Sequence, residues 1–315
     1  MSLPYIGQEL IDSIMNWPLA VSILRDGHSS NLPILKEMAI DSGPGHLLGK
    51  AVHLEGIGIG MKVAAIYPPN LQAMPPQPAE DALFIVFREE DWRIRSLVAG
   101  PPLTAWKTAA DSALASALLS RPDSTHLLCI GAGPIAQALI EAHVSVRPSL
   151  TRVSIWNRTT EKAAALCNKL AEKHIDAQVA VNLDQAIAAA DIVTAATSSA
   201  EPLVKGSCVR PGTHIDLVGA YSRTMRESDD ALIRKSSVYV DCYDTTLEQT
   251  GDISLPIDSG VISASDIRGD LFELVKRPCR RDSDEEITLY KNGGGAHLDL
   301  MIAAYLAGIV EDRQL

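Results

Sequence analysis

The chain has 315 residues, of which 46% are hydrophobic and 21% are charged, and its formal net charge is -11. This length accommodates two domains, and the apolar content argues against a disordered chain, which lacks the surface needed to offset chain entropy. A net negative charge without a Lys/Arg cluster argues against nucleic-acid binding. No apolar run reaches the roughly 18 residues of a membrane span, and the N-terminus lacks signal-peptide features, so we expect a cytoplasmic protein that does not contact membranes.

The cysteines are widely spaced and form neither a C-x-x-C pair nor a cluster with histidine. This pattern predicts buried reduced thiols rather than a metal site or a disulfide framework. The cysteines are Cys129, Cys167, Cys208, Cys242 and Cys279.

The first part of the chain mixes one amphipathic helix with strands. Periodicity predicts a helix over Gln8–Leu24 and strands over Gly60–Ile66 and Ala82–Phe87. The proline-rich segment Tyr67–Pro78 is typical of a loop.

After Asp123 the pattern changes to apolar strands that alternate with alanine-rich helices. Strands that are apolar throughout and alternate with helices predict a parallel sheet covered on both faces, that is, a doubly wound α/β domain. The predicted strands are His126–Ile130, Arg152–Trp156, Ala177–Val181, Ile192–Ala196, His214–Val218 and Val238–Asp241. The predicted helices between the early strands are Ala136–Val146, Glu161–His174 and Asp184–Ala190. A last helix, Ala296–Glu311, would return to the N-terminal region and make the first domain discontinuous.

The strongest local motif is a G-x-G-x-x-A fingerprint between an apolar strand and a helix, the context expected of a dinucleotide-binding turn. Gly131 would allow the tight turn, Gly133 the close approach of a pyrophosphate, and Ala136 the packing of helix on strand. Pro134 suits the first helical turn, and the helix N-terminus would face the phosphates. Glycine turns of this form also occur in loops that bind nothing. The predicted cofactor-binding residues of the motif are Gly131, Ala132, Gly133, Pro134, Ile135 and Ala136.

The tip of the second strand indicates which dinucleotide is bound. NAD-specific sites carry an acidic residue there, whereas this tip carries Asn157, Arg158, Thr159 and Lys162. A guanidinium pairs well with a phosphate, so we predict that NADP(H) is preferred, with NAD(H) as the alternative cofactor. The other interpretation is a solvated turn with a helix cap at Thr159 or Thr160.

Small hydroxyl residues end the strand that begins at Ile192. Ligands of open α/β sheets lie beyond the carboxyl ends of the strands, so Thr197 and Ser198 are candidates to contact the cofactor. A capped turn explains them nearly as well.

Two lysines in apolar surroundings are candidate anion ligands. On the predicted helix Leu103–Ser120, Lys107 shares one face with Thr104, Thr108 and Asp111, and a cation in the first half of a helix opposes the helix dipole. Lys107 therefore indicates that an anionic substrate group binds there. The alternative is that these four residues form an exposed polar stripe. Lys62 lies inside an apolar strand and either points to solvent or meets an anion in a cleft.

A turn of three glycines precedes the last helix, where His297 stands. The turn permits close approach of a ligand, and the imidazole of His297 is a candidate proton donor at neutral pH. A histidine at this position is also commonly structural.

Taken in order, these segments resemble the ornithine cyclodeaminase/μ-crystallin family from about residue 55 to residue 308. The resemblance is carried by Gly60–Val63 with Tyr67–Asn70, Leu103–Ala110, the fingerprint at Gly131, Ala196–Ser199, Gly212–Ala220, Gly251–Asp252 and Ile287–Lys291. It implies a homodimer in which a Rossmann NAD(P)-binding domain (118–295) is inserted into a discontinuous α+β substrate-binding and dimerisation domain (1–117 and 296–315), with the active site between them. It also implies a nicotinamide cofactor and a small amino or imino acid substrate.

Site residues follow from the resemblance. Lys62 matches the family's carboxylate-binding lysine, and Lys107 stands where the family usually has an arginine, which keeps the charge but loses the bidentate fork. Another family arginine has no match around residues 33–36. Thr108, Gly294 and Asp299 complete the expected substrate-binding set. Val218 and Gly219 complete the expected cofactor-binding set.

Tyr221 stands where true ornithine cyclodeaminases have an aspartate, and tyrosine supplies no carboxylate. The segments around it resemble the family's cyclic ketimine reductases. We therefore expect an NAD(P)H-dependent imine reductase that converts Δ1-pyrroline-2-carboxylate to L-proline or Δ1-piperideine-2-carboxylate to L-pipecolate, with His297, or Tyr221 through water, as the candidate acid. The alternatives are an ornithine cyclodeaminase, an alanine dehydrogenase, or a non-catalytic crystallin-like NADPH-binding protein.

Overall fold

The computed structural model describes residues 3–277 and 281–313. The chain divides into two compact units, the first formed by the residues up to Lys107 together with those from Gly295 onwards, and the second by Thr108–Gly294. The sequence placed these boundaries after residues 117 and 295. The first observed boundary falls inside a long helix, where no break in the sequence pattern marks it.

The strands and helices of the described residues are numbered in chain order. The strands are β1 (Tyr5–Ile6), β2 (Ile34–Ser42), β3 (Gly45–Leu54), β4 (Gly58–Ile66), β5 (Glu80–Phe87), β6 (Ile94–Ala99), β7 (His126–Ile130), β8 (Arg152–Trp156), β9 (Ala177–Val179), β10 (Ile192–Ala195), β11 (His214–Leu217), β12 (Ser237–Val240), β13 (Gly269–Asp270) and β14 (Thr288–Lys291). The helices are α1 (Gln8–Ile14), α2 (Trp17–His28), α3 (Gly100–Leu119), α4 (Pro134–Val146), α5 (Thr160–Ala171), α6 (Leu183–Ala189), α7 (Asp230–Lys235), α8 (Tyr243–Thr246), α9 (Gly251–Asp258), α10 (Leu271–Leu274) and α11 (Ala296–Arg313).

The first unit is built on a sheet with the strand order β1-β6-β5-β4-β3-β2. Its strands pair antiparallel except for β1, which runs parallel to β6. Helix α11 packs on β4 and β3 and also contacts α2. One face of the sheet is therefore covered by a helix from the far end of the chain, which confirms the discontinuous α+β arrangement.

The prediction of one N-terminal helix over Gln8–Leu24 was wrong. The structure has two helices, α1 and α2, because Asn16 caps the second one by accepting a hydrogen bond from the Leu19 N–H. Pro18, in the first turn of α2, lacks the N–H that a continuing helix would need. The predicted loop after β4 also begins differently, with a short 3-10 helix over Pro68–Gln72.

The second unit contains a sheet of parallel strands in the order β13-β12-β14-β11-β10-β7-β8-β9. The central strands β7, β10, β11, β12 and β14 are buried along their whole length because both faces of the sheet are covered: Leu127 and Cys129 of β7 pack into one hydrophobic cluster, and Leu128 and Ile130 into the other. The strand order reverses at β7, which has β8 on one side and β10 on the other. The structure confirms the doubly wound α/β prediction.

Cys129, Cys167, Cys208 and Cys242 are free thiols; the first and last are buried and the other two are half-buried. The remaining predicted thiol, Cys279, lies outside the described residues. None of the described helices combines the length and the apolar character that crossing a bilayer requires. The described residues also contain no group of three or more His, Cys, Asp or Glu side chains that could hold a metal ion.

Candidate functional site

The first candidate site, in the first unit, is a cluster of charges around Lys62. This side chain is only 12% exposed, its Nζ donates to Thr104 Oγ1 at 2.7 Å, and it lies 3.5 Å from Asp299 Oδ1. Strand β4 presents the lysine and α3 presents the threonine, while Asp299 belongs to α11. Of the two interpretations of Lys62, the structure supports the lysine that meets an anion.

Lys107 reaches the same carboxylate from α3. Its Nζ lies 3.4 Å from Asp299 Oδ2, and its side chain is 3% exposed. Thr108 is buried as well, and buried Asp111 accepts a hydrogen bond from the Tyr290 hydroxyl at 2.7 Å. The alternative of an exposed polar stripe on α3 was therefore wrong.

Asp299 is the shared counterion of the two lysines. Burial raises the pKa of its carboxyl group, but the ammonium groups of Lys107 and Lys62 act against burial and hold the pKa below its usual value. The carboxylate is thus ionised at neutral pH. It lies within 3.5 Å of both ammonium groups and helps to fix them in position.

His297 lies close to this cluster and is fully buried. Its ring makes an edge contact with the His28 ring, with centroids 5.6 Å apart. Burial, and secondly the Lys107 ammonium, lowers the pKa of the imidazole to about 3. At neutral pH the ring is therefore neutral, which argues against an imidazolium that donates a proton and favours the structural interpretation.

Within the second unit, Asn292 holds the glycines that precede Gly295. Its amide donates to the carbonyl of Thr108 at 3.0 Å and to Ser112 Oγ at 3.1 Å, and its Oδ1 accepts from the Gly294 N–H at 3.0 Å. Gly294 has a φ of +68°, in the left-handed region that favours glycine. The turn is therefore fixed, and Thr108 contributes its backbone carbonyl to that fixation.

The second candidate site, in the second unit, is the turn between β7 and α4. Gly131 has a φ of +121°, and a Cβ there would lie 2.5 Å from the carbonyl oxygen of Ala196. Its N–H donates to the Trp156 carbonyl at 2.8 Å. The packing of β7 against its neighbours thus requires glycine at this position.

The start of α4 has the properties of a phosphate cradle. Pro134 is the first helical residue, and no side chain of the described residues caps the helix at Gly133. A Cβ built on Gly133 meets no atom within 4 Å, so the space above the turn is open. The N–H groups of Ile135 and Ala136 at the helix start face a position where an anion is favoured. The residues present therefore fit the pyrophosphate of a dinucleotide.

The tip of β8 carries the side chains expected to select the cofactor. Asn157 donates from its amide to the carbonyl of Thr159 at 2.8 Å and so shapes the turn. Thr159 occupies the N-cap position of α5, yet its side chain makes no capping hydrogen bond. Arg158, Thr159 and Lys162 are all exposed. The hydroxyl and the two cations are thus presented to solvent at the end of the strand.

The ends of β10 and β11 meet at one buried carboxylate, that of Glu227. Its Oε1 accepts from the Thr197 N–H at 2.7 Å and from the Thr197 hydroxyl at 2.8 Å, and its Oε2 accepts from the Gly219 N–H at 2.7 Å. Val218 donates to the Ala195 carbonyl, and Ser198 is exposed. The hydroxyl proton of Thr197 is therefore already engaged.

Two further residues, Tyr221 and Glu227, lie in the loop between β11 and α7. Tyr221 is 72% exposed, and its N–H donates to the Gly219 carbonyl. Glu227 was not predicted as a functional residue. The sequence signal that could have singled it out is weak: a carboxylate in the polar segment that follows Gly219 and Tyr221.

Comparison with known proteins decides the family. The sequence matches the family model for the ornithine cyclodeaminase/mu-crystallin family over residues 47–313. The chain belongs to the ornithine cyclodeaminase/mu-crystallin family. The sequence-based resemblance, which ran from about residue 55 to residue 308, is confirmed.

The proteins to which the chain is similar include reductases. A Delta(1)-pyrroline-2-carboxylate reductase from Paracoccus denitrificans is 41% identical over 297 residues, which cover 94% of this chain and 93% of the relative. A reductase of the same name from Colwellia psychrerythraea is 34% identical, with 78% of each chain covered. The solved structure of the Thermococcus litoralis Delta(1)-pyrroline-2-carboxylate reductase, in complex with NADH and L-proline, has a TM-score of 0.93 and 26% identity, with 99% of each chain covered.

Proposed function

We propose that the chain is an oxidoreductase that uses NADH or NADPH to reduce a small cyclic 2-imino acid. Its substrates are Δ1-pyrroline-2-carboxylate, which gives L-proline, and Δ1-piperideine-2-carboxylate, which gives L-pipecolate. The observation that carries this proposal is the cluster of two ammonium groups, Lys62 and Lys107, around the single carboxylate of Asp299. The 41% identity to a Delta(1)-pyrroline-2-carboxylate reductase over nearly the whole chain supports it.

The substrate carboxylate binds to Lys62 and Lys107. The cluster carries two positive charges against one negative charge, so a second carboxylate balances the excess charge. Because both lysines are nearly buried, their attraction for an anion is less screened than at a surface. Lysine ammonium groups attract the carboxylate as point charges and lack the paired donors of an arginine. Thr108, Gly294 and Asp299 complete the proposed substrate-binding residues.

When bound, the nicotinamide supplies a hydride to the imine carbon. The chain's own residues hold the reactants: the open turn at Gly133 and the start of α4 receive the pyrophosphate, and the two lysines orient the imino acid. The imine nitrogen carries the proton that becomes part of the product amine. A protonated imine is already a good electrophile, so neither buried His297 nor exposed Tyr221 is needed as a dedicated acid.

The preferred cofactor is NADP(H), because exposed Arg158, Thr159 and Lys162 at the tip of β8 match a 2′-phosphate. NAD(H) is the alternative, and the Thermococcus relative is in complex with NADH. The ratio of kcat/KM for NADPH to that for NADH tests the preference.

The second unit is the cofactor-binding domain, and the first unit is the substrate-binding domain through which two copies form a homodimer. The whole of β2 is exposed or nearly so, and Ile34, Met38 and Ile40 lie on one face of it with large exposed fractions. An exposed apolar strand at a sheet edge is a common site of subunit association. Light scattering on the purified protein tests the dimer. The cytoplasmic location stays a prediction.

A substrate panel tests the function. The purified chain should oxidise NADPH with either cyclic imino acid, release no ammonia from ornithine, and fail to oxidise alanine with NAD. Ammonia release from ornithine would assign it to the cyclodeaminases instead. Cofactor binding without turnover of any imino acid would indicate a crystallin-like binding protein.

A further inference from the structure

Buried Glu227 accepts hydrogen bonds from the residues that follow both β10 and β11. One oxygen accepts the N–H and the hydroxyl of Thr197, and the other accepts the N–H of Gly219. Thr197 follows β10 and Gly219 follows β11, so a single side chain joins two neighbouring strand ends.

The two strand ends are also in direct contact. A Cβ on Gly219 would lie 2.0 Å from the carbonyl oxygen of Thr197 and 2.3 Å from its nitrogen. No side chain can therefore separate the two backbones. Their relative position is set by this contact together with the three hydrogen bonds to Glu227.

Glu227 is itself fixed from behind by further buried charges. Asp252 of α9 accepts the N–H groups of Glu227 and Ser228 at 2.9 and 3.0 Å. Lys291 of β14 lies 3.5 Å from Asp252 Oδ2 and donates to the Leu217 carbonyl at the end of β11. All three charged side chains are fully buried. A buried network with many satisfied hydrogen bonds holds one arrangement.

The place of this network in the sheet indicates its role. A dinucleotide lies across the carboxyl ends of the strands at the point where the strand order reverses, here at β7. The β8 side carries the side chains proposed to bind the adenosine half. The β10 and β11 side, which Glu227 joins, is therefore left for the nicotinamide half.

We propose that Glu227 is a positioning residue for the nicotinamide half of the cofactor, because it holds the ends of β10 and β11 at the separation that this half requires. The inference rests on the proposed function, since it presupposes a nicotinamide cofactor. Glu227 acts through Thr197 and Gly219 and does not itself contact the reacting atoms.

The ionised form of Glu227 is the stronger acceptor for the three hydrogen bonds, because protonation places an O–H on one of the two accepting oxygens. Burial raises the pKa of Glu227 to about 7. The Lys291 ammonium acts to lower this pKa, and the Asp252 carboxylate acts to raise it. The buried Cys129 thiol of β7 interacts electrostatically with Glu227, and burial raises the pKa of this thiol. Since protonation weakens the hydrogen bonds from Thr197 and Gly219 to Glu227, affinity for the nicotinamide half falls as the pH drops from 8 to 6.

The test compares the binding of NADH with that of ADP, which lacks the nicotinamide half, by calorimetry in the absence of substrate. In Glu227→Gln, an amide N–H₂ faces a backbone N–H, so NADH binding should weaken about 10- to 100-fold while ADP binding stays within about twofold. The fall of NADH affinity between pH 8 and pH 6 should disappear in this variant. Glu227→Asp should restore part of the NADH affinity, and exposed Glu201→Gln is the matched control, expected to match wild type.

Equal loss of ADP and NADH affinity, or no loss of either, would overturn the inference. Should Glu227→Gln fail to fold, Thr197→Val carries the test: it removes one donor to Glu227 and should weaken NADH binding but not ADP binding. The inference and the proposed function fail separately. If Glu227→Gln weakens NADH binding selectively but the wild-type chain reduces no imino acid, only the proposed function is refuted.

Discussion

The Nζ of Lys107 lies 3.4 Å from Oδ2 of Asp299, and both side chains are buried. The other oxygen of this carboxylate lies 3.5 Å from the Nζ of Lys62. One carboxylate is thus shared by two ammonium groups that come from a strand and a helix. Because both ammonium groups are already fixed, binding of the proposed substrate carboxylate would cost little additional ordering of side chains.

Lys62→Met should remove substrate binding at this cluster while the fold is kept. A charge-assisted hydrogen bond contributes about 1.5–3 kcal/mol, so kcat/KM for the imino acid should fall about 10- to 100-fold or more, mainly through KM. NADPH affinity should be unchanged. Lys169→Met, on the exposed face of α5, is the control and should behave as wild type. Unchanged kinetics in Lys62→Met would remove this lysine from the site.

The two glycines of the β7–α4 turn should respond differently to alanine. A Cβ on Gly133 meets no atom within 4 Å, so Gly133→Ala should keep its Tm but lose about tenfold or more in dinucleotide affinity, because the methyl group occupies the space of the pyrophosphate. Gly131→Ala should lower Tm instead, since its φ is +121° and the Cβ would lie 2.5 Å from the Ala196 carbonyl oxygen. Thermal unfolding and fluorescence titration with NADPH measure the two effects. Full NADPH affinity in Gly133→Ala would argue against a phosphate at this turn.

Arg158→Ala should change the choice of cofactor. Loss of one guanidinium–phosphate pair should lower kcat/KM for NADPH about 10- to 100-fold and leave that for NADH nearly unchanged. Arg152, exposed at the opposite end of β8, provides the matched control variant Arg152→Ala. Parallel loss with both cofactors would show that Arg158 does not bind the 2′-phosphate.

His297 should remain neutral throughout the physiological range. Its folded-state pKa of about 3 lies below the ordinary value of 6.5, so the unfolded chain binds more protons below pH 6.5 and folding stability falls with falling pH. Between pH 7 and pH 5 this residue should cost about 2 kcal/mol of stability, and His297→Asn should lack that contribution. Denaturant unfolding at the two pH values measures it. An NMR titration of the ring near pH 6.5 would contradict the buried, neutral state and restore His297 as a candidate acid.

How far the sequence predicts the fold depends on whether local pattern or distant contact determines each element. The bounds of β7 and β8 were predicted to the residue, because both strands are predominantly apolar and lie between clear turns. Strands β2 and β3 were not predicted. In β2, Lys36 and Glu37 interrupt the apolar residues, and the strand is exposed along its length, so no alternating burial marks it.

The site shows the same division. Lys62 and Lys107 were each predicted as anion ligands because each is a cation in an apolar element. Their shared contact with Asp299 depends on packing between β4, α3 and α11, which sequence spacing does not show. Buried Glu227 was missed for the same reason, since its partners Thr197 and Asp252 lie on other segments of the chain. The burial of His297, and hence its low pKa, is likewise a tertiary property that the sequence does not show.

The most direct test of the proposed reaction follows the hydride itself. The purified chain is incubated with Δ1-pyrroline-2-carboxylate and NADPH that carries deuterium at both C4 positions, and the product is analysed by mass spectrometry and NMR. We predict L-proline with one deuterium at C2, formed in an amount equal to that of the NADPH oxidised. Proline without deuterium, or oxidation of NADPH without proline, would contradict it.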